Sequence, residues 1–223
     1  VPSISNKTAI ICSGGTFTVT PVNGVIEIVP SGTTYTWTAP VISPAGSITG
    51  GSGQATGQTS ISQALINTTN ASATATYTVT PQSGTCTGPT FTVTVTVNPV
   101  PSISNKTATI CSGGTFTVTP ANGGSEIVPS GTTYTWSAPV ISPAGSITGG
   151  SGQATGQTSI SQALTNTTNA SATATYTVTP QSGTCTGLTF EVTVTVNPVP
   201  SISNKTAIIC SGGTFTVTPV NGV

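Results

Sequence analysis

Thr74–Val97 reads TATYTVTPQSGTCTGPTFTVTVTV, and this stretch decides the fold. In Thr74–Thr80 and in Thr90–Val97, threonine alternates with apolar or aromatic residues. Because successive side chains of a strand point to opposite faces, each run predicts a half-buried strand with threonine turned outward. Threonine is β-branched, so it favours a strand without adding charge. Gln82–Gly84 has turn chemistry and separates the two strands.

The same alternation recurs earlier in the chain. Thr16–Thr20 and Thr34–Thr38 predict further strands, and Pro2–Ile11 and Thr59–Leu65 predict weaker ones. No window of about 11 residues has a convincing helical period. We therefore expect an all-β sandwich of about seven strands. The Gly-, Ser- and Gln-rich segment Ser43–Gln63 is expected to be a plain crossover between sheets, with a mobile binding loop as the alternative.

The chain repeats itself every 99 residues. Val1–Pro99 recurs as Val100–Pro198, and Val199–Val223 repeats the first 25 residues unchanged. A period this long is a whole domain rather than a solenoid turn, so the sequence predicts sandwich repeats at 1–99 and 100–198 and the truncated start of a third at 199–223. Prolines at the junctions predict short, semi-rigid spacers and a linear array. The two full repeats differ at eight positions: Ile10/Thr109, Val22/Ala121, Val25/Gly124, Ile26/Ser125, Thr38/Ser137, Ile66/Thr165, Pro89/Leu188 and Thr92/Glu191.

The charge inventory excludes several classes of function. The chain has three lysines, three glutamates and a net charge of zero, with no Arg, Asp or His. Such a chain cannot neutralise a row of phosphates, so we expect no nucleic-acid partner. No run approaches about 18 apolar residues, so we expect no direct membrane insertion. Without His or Asp there is no Ser-His-Asp triad or Cys-His pair, and the repeats share no carboxylate pair, because Glu27 is alone in its repeat and Glu191 has no counterpart in the first. We therefore predict no catalytic residue, cofactor or metal site, and no enzyme activity.

The five cysteines form two series in phase with the repeat. Cys12, Cys111 and Cys210 lie in ICSGG, whereas Cys86 and Cys185 lie in GTCTG. Without C-x-x-C spacing or histidine, the cysteines predict disulfides formed in an oxidising, extracellular compartment or at the cell surface. Two pairings remain open: Cys12–Cys86 with Cys111–Cys185 inside each repeat, or Cys12–Cys185 between repeats. In either case Cys210 is expected to be a leftover of truncation.

Aromatic residues in phase with the alternation predict the core. Trp37, Trp136, Tyr77 and Tyr176 are expected to be core aromatics, and the alternative for Trp37 is a ligand-stacking surface. Lys7 is expected to be a solvated side chain beside the linker, with a Lys–Asn isopeptide bond as the alternative.

Four runs carry a resemblance to a known family: ICSGGTFTVTP, TTYTWTAP, ATYTVTPQSGTCTG and FTVTVTVNPVP. Together they resemble the PKD-like or immunoglobulin-like repeats of very large secreted Bacteroidota proteins. The resemblance implies export by the type IX secretion system and a cell-surface adhesin, including the gliding-motility adhesins, without catalytic residues. Many PKD domains carry acidic residues, and this chain has no Asp, so ligands for calcium rigidification are lacking.

These observations predict a structural stalk of a large extracellular adhesin that supplies reach and stiffness. A self-assembling extracellular filament subunit is the first alternative, because exposed edges carry almost no charges that would prevent lateral packing. An accessory carbohydrate-binding module of a secreted hydrolase is the second alternative. The expected partners are neighbouring repeats of the same chain, other copies of itself in a fibre, and a surface glycan.

Overall fold

A computed structural model describes residues 1–219 of the chain, and every regular element in that range is a β-strand. The first repeat contributes β1 Lys7–Cys12, β2 Thr16–Val19, β3 Thr34–Trp37, β4 Val41–Ser43, β5 Ile48–Thr49, β6 Gln54–Gln58, β7 Ile61–Ala64, β8 Ile66–Asn67, β9 Ala73–Ser83, β10 Cys86–Thr87 and β11 Phe91–Asn98. The second repeat contributes β12 Lys106–Cys111, β13 Thr115–Val118, β14 Thr133–Trp136, β15 Val140–Ser142, β16 Ile147–Thr148, β17 Gln153–Gln157, β18 Ile160–Ala163, β19 Thr165–Asn166, β20 Ala172–Ser182, β21 Cys185–Thr186 and β22 Phe190–Asn197.

The strands of each repeat form one large sheet and two small ones. In the first repeat the seven-stranded sheet runs β1-β11-β9-β3-β6, with β4 and β10 also paired to β9. The pairs β2–β7 and β5–β8 are separate two-stranded sheets, and the second repeat has the same arrangement. β1 pairs with β11 in parallel, whereas the other pairs are antiparallel. This is an immunoglobulin-like β-sandwich, present in two tandem copies.

The predicted alternation decides which side chains form the core. Along β11 every second residue is buried and the threonines between them are half-buried, and β9 follows a similar pattern. Phe17 from β2 packs on Tyr77 from β9 with ring centroids 5.3 Å apart, so the small sheet meets the large one through aromatic contact. The all-β sandwich predicted from the sequence is confirmed.

The structure has more strands than the seven predicted for each repeat. β5, β8 and β10 are two residues long, which is too short for alternation to be recognised. The crossover expected at Ser43–Gln63 instead contains β5 and β6 and the start of β7. β6 reads QATGQ and buries none of its residues fully, so it has no apolar period that a sequence could reveal.

Close contacts divide the chain into two compact units. Unit 1 comprises Val1–Ile103 together with Pro120–Thr133 and Thr179–Leu188. Unit 2 comprises Ser104–Thr119, Tyr134–Val178 and the chain from Thr189 onward. Repeat boundaries at residues 99 and 198 stay a prediction. The β1 sequence recurs at 205–210, and these residues form no strand.

Candidate functional site

One disulfide lies inside unit 1 and joins residues from the two repeats. Cys12 ends β1 and Cys185 begins β21, and their Cα atoms are 5.6 Å apart. Cys185 is only 1% exposed, so this part of the bond is shielded from solvent. Of the two pairings that the sequence left open, the structure forms the one between repeats.

Strand geometry explains why the bond does not form within a repeat. The parallel register places Cys12 beside Asn98, at the far end of β11 from Phe91. Cys86 pairs with Ser83 in the hairpin that precedes Phe91, so it lies beyond the opposite end of β11. At about 3.3 Å per residue, β11 separates the two cysteines by more than about 20 Å. A disulfide requires Cα atoms within about 7 Å.

The remaining candidate cysteines are not bonded. Among residues 1–219, Cys86, Cys111 and Cys210 are free and exposed thiols. The structure therefore does not contain the within-repeat disulfides Cys12–Cys86 and Cys111–Cys185, and no disulfide was expected at Cys210. Cys86 and Cys111 occupy the positions of Cys185 and Cys12 in the other repeat.

A turn directly after β1 holds Cys12 in position. Ser13 N donates to Asn98 O at 2.8 Å, and Gly14 N donates to Leu65 O at 2.8 Å. The φ of Gly14 is +83°, a left-handed conformation that other residues rarely adopt. These bonds tie the end of β1 to both sides of the sandwich, so the position of the Cys12 sulfur follows from the fold.

Asn67 supports the same turn from inside the sandwich. Asn67 N donates to Ser13 Oγ at 2.9 Å, and Ser13 Oγ donates to Asn67 O at 3.1 Å. Its side-chain amide donates to Ala71 O at 2.7 Å and to Val97 O at 2.8 Å. Asn67 is 2% exposed and was missed at the sequence level, since an Asn in a Thr- and Asn-rich stretch is not distinctive.

The hairpin that carries Cys185 depends on two glycines. Gly183 has a φ of +57°, which suits the tight turn between β20 and β21. A Cβ added at Gly187 would lie 2.2 Å from Pro101 O, so a side chain there would displace backbone. The end of the hairpin is thus held against the first residues of the second repeat.

Lys7 is not the solvated side chain that the sequence predicted. Its Nζ forms an ion pair with the Glu27 carboxylate, which also accepts hydrogen bonds from the hydroxyl and backbone N of Ser5. The Lys7 and Ser5 side-chain hydrogen bonds hold the pKa of Glu27 below its usual value, although desolvation opposes them. This cluster fastens the segment before β1 to the loop before β3.

The tryptophans lie in the core. Trp37 and Trp136 are each 7% exposed, and their indole Nε1 atoms donate to Ser52 O at 3.2 Å and Ser151 O at 3.1 Å. A buried indole with a satisfied donor is a structural residue. The alternative of a ligand-stacking surface at Trp37 therefore has no exposed ring to support it.

Two core tyrosines donate to glutamines that were missed at the sequence level. Tyr77 and Tyr176 are fully buried, and their hydroxyls donate to Gln63 Oε1 and Gln162 Oε1, both at 2.8 Å. Burial raises the pKa of both phenols to about 12. Gln63 also hydrogen-bonds the backbone of Ser52, whose carbonyl accepts from the Trp37 indole, so Gln63 links the core tyrosine to this loop.

No group of three or more His, Cys, Asp or Glu side chains that could hold a metal ion occurs in the part of the chain that the structure describes. The same range contains no helix long and apolar enough to cross a membrane. The chemical feature that the described residues do show is the covalent cross-link between Cys12 and Cys185.

Comparison with known families decides the assignment. Residues 9–101 and residues 108–200 each match the PKD-like domain family. The chain belongs to this family. The two PKD-like matches cover most of the chain, and their first residues, 9 and 108, are one 99-residue period apart. No curated protein matches the chain.

Several solved structures resemble the PKD-like chain weakly. The DIP-gamma IG1+IG2 structure is 11% identical with a TM-score of 0.39, over 88% of this chain and 97% of that one. The human Desmocollin-1 ectodomain is 12% identical with a TM-score of 0.38, over 90% of this chain and 42% of that one. The titin I-band fragment I67-I69 is 9% identical with a TM-score of 0.36, over 89% and 66%.

Proposed function

We propose that this chain is a tension-bearing spacer in a large extracellular surface protein, where PKD-like domains hold a separate binding region away from the cell. The observation that carries the proposal is the Cys12–Cys185 bond. A disulfide persists in an oxidising compartment, which agrees with a location outside the cell. The resemblance to Bacteroidota surface repeats supports an adhesin exported by the type IX system as the parent protein.

The bond limits how much of the chain a force applied at its two ends can extend. Cys12 lies near the beginning of the first repeat and Cys185 lies near the end of the second, at a sequence separation of 173 residues. A force applied at the termini crosses the sulfur atoms, so the chain between them stays looped even when it unfolds. At about 3.5 Å per extended residue, the bond withholds about 600 Å of chain from extension.

Hydrophobic cores alone would not limit extension in this way. An unlinked repeat of 99 residues would lengthen by up to about 350 Å when its sandwich opened. A stalk that lengthens stepwise loses the fixed reach that a binding tip needs. The disulfide makes the reach independent of whether an individual sandwich opens.

Single-molecule force spectroscopy of the chain, pulled from its two ends, tests the proposal. The oxidised chain should extend only through the residues outside the bond, whereas the reduced chain should release about 600 Å more. The variant C86A/C111A, which lacks two free thiols but keeps the bond, is the matched control and should behave like the unaltered chain. Stepwise release from both repeats under oxidising conditions would refute the proposal.

Of the alternatives, the carbohydrate-binding module gains no support, because Trp37 and Trp136 lie in the core. The unbonded thiols at Cys86 and Cys111 favour one form of the filament alternative, in which copies of the spacer join end to end.

A further inference from the structure

The same hairpin occurs twice in the chain with different burial. In the second repeat, Cys185 is 1% exposed and bonded, whereas in the first repeat the corresponding Cys86 is exposed and free. The strand ends differ in the same sense, because Cys12 is half-buried and Cys111 is exposed. The chain therefore contains one completed junction and the two unjoined halves of another.

Pro129 lines a cavity together with Ser182 and Gly183 of the hairpin that carries Cys185, and burial differs between the repeats there too. Ile127 is half-buried and Pro129 is buried in unit 1, whereas their counterparts Ile28 and Pro30 in the first repeat are exposed and half-buried. Ile28 is 55% exposed. We term the surface of the first repeat formed by Ile28, Pro30 and Cys86 the hairpin face. The equivalent residues of the second repeat, Ile127, Pro129 and Cys185, are more buried, so the hairpin face has the same kind of residues as a surface that is covered in the second repeat.

The backbone that would aim each free sulfur is already in place. Cys111 pairs with Asn197 as Cys12 pairs with Asn98, and Ser112 N donates to Asn197 O at 2.8 Å. Gly113 N donates to Leu164 O at 2.8 Å, which repeats the turn after Cys12. Cys86 pairs with Ser83 as Cys185 pairs with Ser182, and the turn glycines Gly84 and Gly183 have φ values of 58° and 57°, so both free halves have the backbone geometry of the bonded ones.

We propose that the hairpin face docks on the Cys111 strand end of a second copy of this chain and that a Cys86–Cys111 disulfide closes the contact. The two surfaces differ, so the contact is heterologous and head-to-tail, and it can continue from copy to copy as an open array. The second copy is favoured as partner because the interface continues the one already formed within unit 1. This deepens the proposed spacer role and rests on it, since it names another repeat of this sequence as the partner of the stalk.

The bond forms by an ordinary thiol oxidation. The thiols of Cys86 and Cys111 each give up a proton, and their sulfurs become joined as a disulfide. The two electrons pass to a small-molecule disulfide, which is itself cleaved to two thiols. Both cysteines are exposed, so thiol–disulfide exchange can reach them.

The test uses the chain of residues 1–223, in which C210S removes the third free thiol. One variant carries C86S and C210S, and the other carries C111S and C210S. Each is incubated alone and in an equal mixture, in a buffer of reduced and oxidised glutathione, and analysed by non-reducing electrophoresis and peptide mass mapping. We expect monomers from either variant alone, a dimer containing a Cys86–Cys111 bond from the mixture, and a ladder of multimers from the C210S chain.

Two results would overturn the proposal. One is the absence of mixed dimers, and the other is the formation of Cys86–Cys86 or Cys111–Cys111 dimers in comparable amounts, as random oxidation of exposed thiols would give. Retention of the Cys12–Cys185 bond in the peptide map shows that each variant is folded. Failure here leaves the force experiment unaffected, so the docking proposal and the spacer proposal can fail separately.

Discussion

Removal of the Cys12–Cys185 bond is the most informative perturbation of stability. The double variant C12A/C185A deletes both sulfurs without leaving an unpaired thiol. The bond closes a loop with a sequence separation of 173 residues, which contains every strand from β2 to β20. Chain-entropy arguments give a loop of this length about 5 kcal/mol of stabilisation at 25 °C, through restriction of the unfolded chain.

The assay is equilibrium unfolding in guanidinium chloride, followed by tryptophan fluorescence. We expect the midpoint of C12A/C185A to fall well below that of the unaltered chain, by an amount that approaches the loop-closure value. Trp37 and Trp136 lie one in each repeat and are both buried, so the signal reports on both sandwiches.

The tandem repeat provides a matched control for this prediction. C86A/C111A makes the same two changes at the equivalent positions, where the thiols are free and exposed, and its midpoint should stay unchanged. If the cysteines were paired within repeats, each double variant would break both bonds and destabilise equally. Equal losses in the two variants, or no loss in either, would therefore refute the assignment.

Two further predictions concern the core and the backbone. Burial raises the pKa of Tyr77 and Tyr176 to about 12, above the usual value of about 10, so the folded state holds the phenolic protons more tightly. Their contribution to stability is complete below about pH 10 and is lost as the pH rises through about 12. The urea midpoint of unfolding should therefore fall across that interval, and it should fall less in the variant Y77F/Y176F. Parallel curves of midpoint against pH for the two proteins would contradict this. Gly88→Ala should destabilise the fold by about 1–3 kcal/mol, because the added Cβ would lie 2.2 Å from Pro2 O. In the control Gly24→Ala the added Cβ has nothing within 4 Å, so its melting temperature should stay close to that of the unaltered chain. Equal melting temperatures for the two variants would show that the backbone yields at Gly88.

The sequence predicted the long strands because their residues alternate strictly. Phe91–Asn98 buries every second side chain, and Trp37 and Tyr77 lie in the core. The short strands and the edge strand Gln54–Gln58 could not be predicted, because two residues cannot show a period and a polar edge has no apolar face. The hydrogen-bonding roles of Gln63 and Asn67 were hidden for a similar reason: their partners are distant in sequence.

The sequence by itself determined that the chain is a tandem array of β-sandwich repeats with threonine outside and aromatics inside. It also restricted the cysteines to two in-phase series, because the 99-residue period places them at the same two positions of the repeat. Only the tertiary structure decided which cysteines bond. The parallel pairing of β1 with β11 carries Cys12 to one end of its sheet and leaves Cys86 at the other. A sulfur can bond only to a partner within a few ångströms, and distance in space depends on strand direction and register rather than on spacing along the chain.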